Sequence, residues 1–342
     1  MSAPLRATLQ RLLDREDLSE GEASVLLTAL ADPAIAPPLA SAILVALRAK
    51  GETPEEVRGF ARAMRSLARK PSIPEGSPTL DIVGTGGDAS GSLNLSTGAA
   101  LLAAACGVRV VKHGNRSVSS QSGSADILEA LGLKLPLDEV QAGACLAATG
   151  FTFLFAPHYH AATKAIAQVR SALGVRTVFN LLGPLTNPAA PPFSLVGAFS
   201  LPAAELMANA FSGLPIERVR VIHGDLGWDE ATPVGPFHVF EVRPGKVTHA
   251  QRDASMYGID RCDARDLVGG DAAHNAARLR AVLEGREQGS HRNAIVLQTA
   301  LALELTCRES VPLAAAAAAG RAIDDGRAAT LLGELARFSA KA

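Results

Sequence analysis

The sequence predicts an α/β fold: a mostly parallel central sheet flanked by helices, carrying a small all-helical domain. Three observations predict it. The first seventy residues read as helices alone. A stretch with three prolines, 70–78, interrupts them. Beyond it, short apolar runs alternate with helical stretches, the pattern of parallel strands joined by crossover helices. With 342 residues the chain has room for two domains. Apolar residues make up 48%, which excludes a disordered chain, and aromatics only 4%, which makes the core aliphatic.

In chain order, Leu9, Leu12 and Leu13 open an amphipathic helix. Ser19-Glu20-Gly21-Glu22 and Thr53-Pro54-Glu55-Glu56 are capping boxes, the second with proline at the first helical position. Between them Pro37-Pro38 breaks the chain ahead of a helix around Ile43, Leu44 and Leu47. Strands are expected at 80–83, 108–111, 151–155, 194–199 and 218–222, and helices at 96–106 and 124–131. Arg243-Pro244-Gly245 joins strands 238–242 and 246–249 into a hairpin. Gly269-Gly270-Asp271 caps one helix, and 293–305 and 311–323 form others. The resulting division is a helical domain over 1–70, completed by helices near 161–186, a linker or hinge at 70–78, and a large α/β domain over 78–160 and 187–342.

A net charge of -1 without any dense basic run argues against a nucleic-acid partner. The four cysteines are far apart and have neither metal-ligand nor disulfide-framework spacing. No apolar stretch is long and charge-free enough to span a membrane, and the N-terminus lacks a signal-peptide pattern. The expected location is cytoplasmic.

Four segments carry chemistry. Gly84-Thr85-Gly86-Gly87-Asp88 directly follows a strand, where glycines let successive backbone N–H groups meet an anion; a plain tight turn reads the same way. The loop is neither a P-loop nor a dinucleotide fingerprint. Asn94-Leu95-Ser96-Thr97 puts hydroxyls at a helix start, a second anion cradle or an ordinary cap. Lys112-His113-Gly114-Asn115-Arg116-Ser117-Val118-Ser119-Ser120 packs cations, an amide and hydroxyls into one loop after a strand, and the stretch runs on through Ser122-Gly123-Ser124 to the next helix. Asp229-Glu230 is a carboxylate pair able to converge on Mg²⁺ from a loop, or a solvated surface pair.

Gly84-Thr85-Gly86-Gly87-Asp88, Asn94-Leu95-Ser96-Thr97, Lys112-His113-Gly114-Asn115-Arg116 and Ser122-Gly123-Ser124-Ala125-Asp126, with Arg176-Thr177-Val178-Phe179-Asn180-Leu181-Leu182-Gly183-Pro184-Leu185-Thr186-Asn187-Pro188 and Asp266-Leu267-Val268-Gly269-Gly270-Asp271, resemble the signature set of the anthranilate phosphoribosyltransferase family, in the family's order and over nearly the whole chain. The resemblance implies transfer of a 5-phosphoribosyl group from phosphoribosyl diphosphate to the amine of anthranilate, releasing diphosphate, a step of tryptophan biosynthesis. It implies donor binding by Gly84, Gly87, Asp88, Ser92, Asn94, Leu95, Ser96, Thr97, Lys112, His113, Gly114, Asn115, Arg116, Ser117, Val118, Ser119, Ser120 and Ser124. Gly84, Asn115 and Arg170 would meet the acceptor, and Ser96, Asp229 and Glu230 would hold Mg²⁺, two ions per site. It further implies a homodimer. No general base is obligatory, because the acceptor's amine is neutral; His113 is the candidate for proton handling, with a structural histidine as the alternative.

The chain departs from the family pattern at Ala161 and Thr163, where proline and methionine are expected, and at Gln168, Trp228 and Gln298. The departures at 161 and 163 lie on the acceptor side, so a related aromatic acceptor stays open. A nucleic-acid-binding relative lacking catalytic motifs is disfavoured by the intact glycine loop and carboxylate pair. A pyrimidine nucleoside phosphorylase is disfavoured by the Lys112-His113-Gly114-Asn115 pattern.

Overall fold

The computed structural model describes residues 2–74, 77–88, 90–116 and 121–341. Four helices come first: α1 (Ser2–Leu13), α2 (Glu20–Leu30), α3 (Pro37–Lys50) and α4 (Pro54–Leu67). Both capping boxes form. Ser19 Oγ accepts from Glu22 N at 3.3 Å while Glu22 Oε2 accepts from Ser19 N at 2.8 Å; Thr53 and Glu56 do the same. Glu56 is buried and also accepts from Leu18 N and Lys50 Nζ, tying the second cap to the turn before α2. Pro37 and Pro38 differ from the expected break: they occupy the first turn of α3, where no intrahelical N–H is required of them.

The described residues then form a seven-stranded sheet from β1 (Thr79–Gly84), β2 (Arg109–Gly114), β3 (Phe151–Phe155), β4 (Phe193–Gly197), β5 (Arg218–Gly224), β6 (Phe237–Arg243) and β7 (Lys246–Arg252), in the order β3-β2-β1-β4-β5-β6-β7. β1 to β5 run parallel, and β6 and β7 add an antiparallel hairpin at one edge. The chain builds outward through β2 and β3, then returns to place β4 on the other side of β1. That reversal opens a crevice at the carboxyl ends of β1 and β4, the place where open α/β sheets bind ligands.

The remaining helices are α5 (Leu95–Ala105), α6 (Ser124–Ala130), α7 (Glu139–Thr149), α8 (Ala156–Tyr159), α9 (Lys164–Leu173), α10 (Phe179–Leu182), α11 (Leu201–Ser212), α12 (Ala272–Leu283), α13 (Ser290–Leu305), α14 (Pro312–Asp324) and α15 (Arg327–Lys341). Strand alternation sends Leu195 and Ile222 to one face and Val196 and Val221 to the other. The first face packs against α5 and α13. The second packs against α11 and continues without interruption into Leu27, Ile43, Leu47 and Phe60 of the first four helices. α9, which carries Ile166 and Val169 into the same core, joins that helical group from later in the chain.

Candidate active site

Three glycines at strand ends set the geometry. A Cβ on Gly197 would stand 1.5 Å from Asp229 O, and one on Gly84 2.5 Å from Asp229 Oδ2. On Gly224 it would stand 2.3 Å from Glu230 O. Gly84 and Gly197 are paired in register, so β1 and β4 leave a gap there that the loop after β5 fills. Asp229 and Glu230 are thereby brought over the β1–β4 crevice rather than out to solvent.

Asp229 Oδ2 accepts from Gly86 N at 2.6 Å, and Asp88 Oδ2 accepts from Asp229 N at 3.4 Å. Glu230 Oε1 accepts from Ser96 N, in the first turn of α5, at 2.9 Å. The glycine loop, the start of α5 and the carboxylate pair therefore meet at one point. They border a narrow cleft that Gln298 of α13 also lines. Burial, then the charge of Asp88, pushes the Asp229 carboxyl up to about 7. Burial and then Asp229 raise Glu230 well above the usual carboxylate range.

Lys112 and His113 differ from the expected loop positions. β2 runs on through Gly114, so both side chains are buried in the sheet. Lys112 Nζ donates to Ile82 O and lies 3.5 Å from Ser96 Oγ, beneath the carboxylates. Its nearest buried counter-charge is Asp81 of β1, which accepts from Asn187 Nδ2 at 2.8 Å and His113 N at 3.2 Å. His113 Nδ1 donates to Gly183 O at 3.2 Å, and burial drives its pKa down to about 3. The ring meets His160 edge-on at 5.1 Å. Gly114 leaves room for Ser124 Oγ, which donates to Asn115 O at 3.3 Å.

The other residues named from the sequence fall into three groups. Gly87, Asp88, Ser92, Ser96 and the exposed Asn115 line the loops around the crevice. Leu95 and Thr97 are buried; Leu95 packs in the core and spends its N–H on Leu93 O. Arg116 turns away from the crevice, binding Asp126 at 2.9 Å and Glu129 at 2.5 Å on α6. Ser117, Val118, Ser119 and Ser120 lie outside the described residues. Asn94 holds structure together: its Oδ1 accepts from Ser122 Oγ and Asn275 Nδ2, both at 3.0 Å. Asn275 accepts from Gly270 N at 2.7 Å, which fastens the Val268–Asp271 turn against the 88–94 loop. Asp81, Asn187 and Asn275 position the site without a role of their own in the sequence reading, although Asp81 opens the glycine segment and Asn187 and the Gly270 turn lie inside stretches it quoted.

Arg170 of α9 is partly buried, 5.0 Å from the Phe179 ring, and burial lowers its pKa with no carboxylate opposing the shift. A guanidinium desolvated in this way is suited to an incoming carboxylate. The residues expected to hold Mg²⁺ share this geometry. Hard oxygen donors are present, and burial, followed by the mutual repulsion of Asp88, Asp229 and Glu230, raises the pKa of Asp229 and Glu230, an arrangement that a bound cation would relieve. Among the described residues no cluster of three His, Cys, Asp or Glu side chains forms a ready metal cage. Mg²⁺ takes one or two protein carboxylates and completes its shell from water and substrate phosphate.

A sheet crevice bordered by a glycine loop, a buried lysine and a carboxylate pair, attached to a helical bundle, suits a transferase that acts on a phosphorylated substrate. Residues 76–329 match the glycosyl transferase family a/b domain, and residues 6–68 match the helical bundle domain of that family. The chain is 43% identical over 336 residues to the anthranilate phosphoribosyltransferase of Desulforudis audaxviator, covering 98% of this chain and 96% of that one. It is 46% identical over 299 residues to that of Rubrobacter xylanophilus, covering 87% of each. The solved Thermus thermophilus enzyme superposes with a TM-score of 0.91 at 40% identity, over 97% of this chain and 99% of that one. A Saccharomyces cerevisiae anthranilate phosphoribosyltransferase, solved in complex with PRPP and Mg, superposes with a TM-score of 0.91 at 25% identity, over 100% of this chain and 99% of that one. The chain belongs to the anthranilate phosphoribosyltransferase family, a family of glycosyltransferases.

Proposed function

We propose that this enzyme transfers the 5-phosphoribosyl group of phosphoribosyl diphosphate to the amine of anthranilate in a Mg²⁺-dependent reaction that releases diphosphate. The observation that carries the reading is the meeting of the glycine loop, the start of α5 and Asp229-Glu230 over one switch-point crevice. Supporting it, Arg170 offers an uncompensated cation for the acceptor's carboxylate. Ser96, Asp229 and Glu230 would hold Mg²⁺, as two ions. When bound, Mg²⁺ neutralises charge on the diphosphate.

The protein's own part is positional and electrostatic. As the ribose C1–oxygen bond lengthens, negative charge grows on the leaving diphosphate. The positive end of α5 and Lys112 beneath it stabilise that charge. Arg170 and Asn115 orient the ring so that its neutral amine faces C1. The amine's surplus proton leaves after attack, and His113 is badly placed to take it, being buried and bonded to Gly183 O.

The division into a helical domain over 1–70 with a hinge at 70–78, a cytoplasmic location and a homodimer belong to the same reading. Among the described residues, no helix is long and apolar enough to cross a membrane. A second reading, a different aromatic acceptor, is favoured by one observation. Ala161 and Thr163 form a short 3-10 turn in which Thr163 Oγ1 donates to His160 O at 2.8 Å, so the side chains on the expected acceptor side differ from the family's.

Following anthranilate fluorescence with donor and Mg²⁺ present tests the proposal; the signal should fall as product forms. Constant fluorescence from folded protein would remove anthranilate as the acceptor. Diphosphate release with another aromatic amine would then establish the second reading.

A further inference from the structure

Arg176 stands in the segment that returns from α9 toward α10, just beyond the left-handed Gly174 that ends α9. Its guanidinium lies 4.0 Å over the Phe199 ring, and Nη2 donates to Gly87 O. No carboxylate within ion-pair distance of it is found among the described residues, although Asp88 is the next residue along the loop. Gly87 has φ +77°, and a Cβ there would approach Nη2 to 3.3 Å, so glycine leaves the space this cation enters. Phe199 is fixed to the same loop, because its N–H donates to Thr85 Oγ1 at 3.1 Å. The arginine is thus clasped, ring and carbonyl, to the loop that forms the anion cradle.

A guanidinium has five N–H donors in a rigid plane, and the carbonyl takes one. Stacking holds that plane, and a held plane is what bidentate recognition of an oxyanion needs. We propose that Arg176 is a binding residue for the diphosphate of the donor, reaching it from the helical-domain side of the crevice. The inference rests on the donor-site reading above. It has a consequence for order. Arg176 and the acceptor-side Arg170 share one short segment, so a diphosphate held by Arg176 settles the segment before the acceptor arrives.

Calorimetric titration of the full-length protein with inorganic diphosphate and Mg²⁺ tests it, alongside steady-state kinetics. Arg176→Ala and Arg176→Gln are expected to weaken diphosphate binding by about tenfold or more, the loss of a charge-assisted pair. The donor KM should rise by a similar factor, with a smaller rise in the anthranilate KM as the Arg170 segment loses its support. Arg176→Lys should fall between wild type and alanine, since it keeps the charge and loses the fork. Wild-type diphosphate affinity in Arg176→Ala would overturn the proposal and leave Arg176 a loop latch. Full recovery by lysine would overturn the bidentate contact. A wild-type protein that binds no diphosphate would overturn the donor-site reading itself, and this inference with it.

Discussion

Asp81 is fully buried on β1, yet it is a carboxylate with a job at each oxygen: one accepts from His113 N, the other from Asn187 Nδ2. Burial pushes its pKa up to about 6 against the pull of Lys112. The folded protein therefore binds this proton more tightly than the unfolded chain does. The stability Asp81 contributes falls as pH rises from about 4 to about 6, and is level above that. Asp81→Asn removes the titration and sets an amide N–H against the Asn187 amide. It should cost about 1–3 kcal/mol at pH 7. The wild-type-minus-variant difference in urea midpoint should shrink as pH rises from 4 to 6; a difference independent of pH would show that Asp81 does not titrate in this window. His113 makes the opposite case. Burial holds its pKa near 3, so the ring is neutral throughout the working range. His113→Asn should leave the limbs of the pH–rate profile between pH 5.5 and 8 unmoved, and a lost limb near pH 6.5 would restore it as a proton carrier. Sequence reading placed Lys112 and His113 in a loop because polar side chains end an apolar run. It had no means of foreseeing that Ile82 O and the charge of Asp81 would meet Lys112, and Gly183 O the His113 ring, inside the sheet.

At the scale of elements, the site depends on where strands stop. Gly84, Gly197 and Gly224 end β1, β4 and β5, and each lacks the Cβ that would collide with the loop bearing Asp229 and Glu230. Gly197 is the tightest, since its Cβ would overlap a backbone carbonyl that cannot rotate away. Gly197→Ala is expected to displace the loop, lower turnover by about a hundredfold and cost about 1–3 kcal/mol of stability. Turnover and a thermal midpoint close to wild type would mean that the loop tolerates the shift. The glycine loop was legible from the sequence because flanking strand and glycine spacing are local signals. Gly197 and Gly224 were not, because a lone glycine at a strand end reads as ordinary punctuation until the opposing loop is in place. The same limit applies to helices. The capping boxes of α2 and α4 were readable to the residue, while α7, α11 and α15 went unread. α7 and α11 are rich in alanine and have weakly contrasted faces, so tertiary packing rather than period defines them.

For the whole molecule, the boundary seen in the sequence and the boundary of the core do not coincide. The prolines at 71, 74 and 78 separate two textures of chain, but the apolar cluster on one face of the sheet crosses that line. Phe60 of α4 is fully buried and meets Phe179 edge-on at 6.4 Å, and Phe211 of α11 belongs to the same cluster as Leu47 of α3. A helical group that shares its core with the sheet has too little apolar surface of its own to fold as a separate cooperative unit. Scanning calorimetry should therefore show one transition, and a fragment of residues 1–70 should lack stable tertiary structure. Phe60→Ala sharpens the test. It should cost about 3–5 kcal/mol, the usual penalty for emptying a buried aromatic site. If the core is continuous, that loss lowers the single transition as a whole. A low-temperature transition that splits off while the main one stays in place would mean that the helical group unfolds independently, and that the shared cluster is a contact between two cores rather than one core.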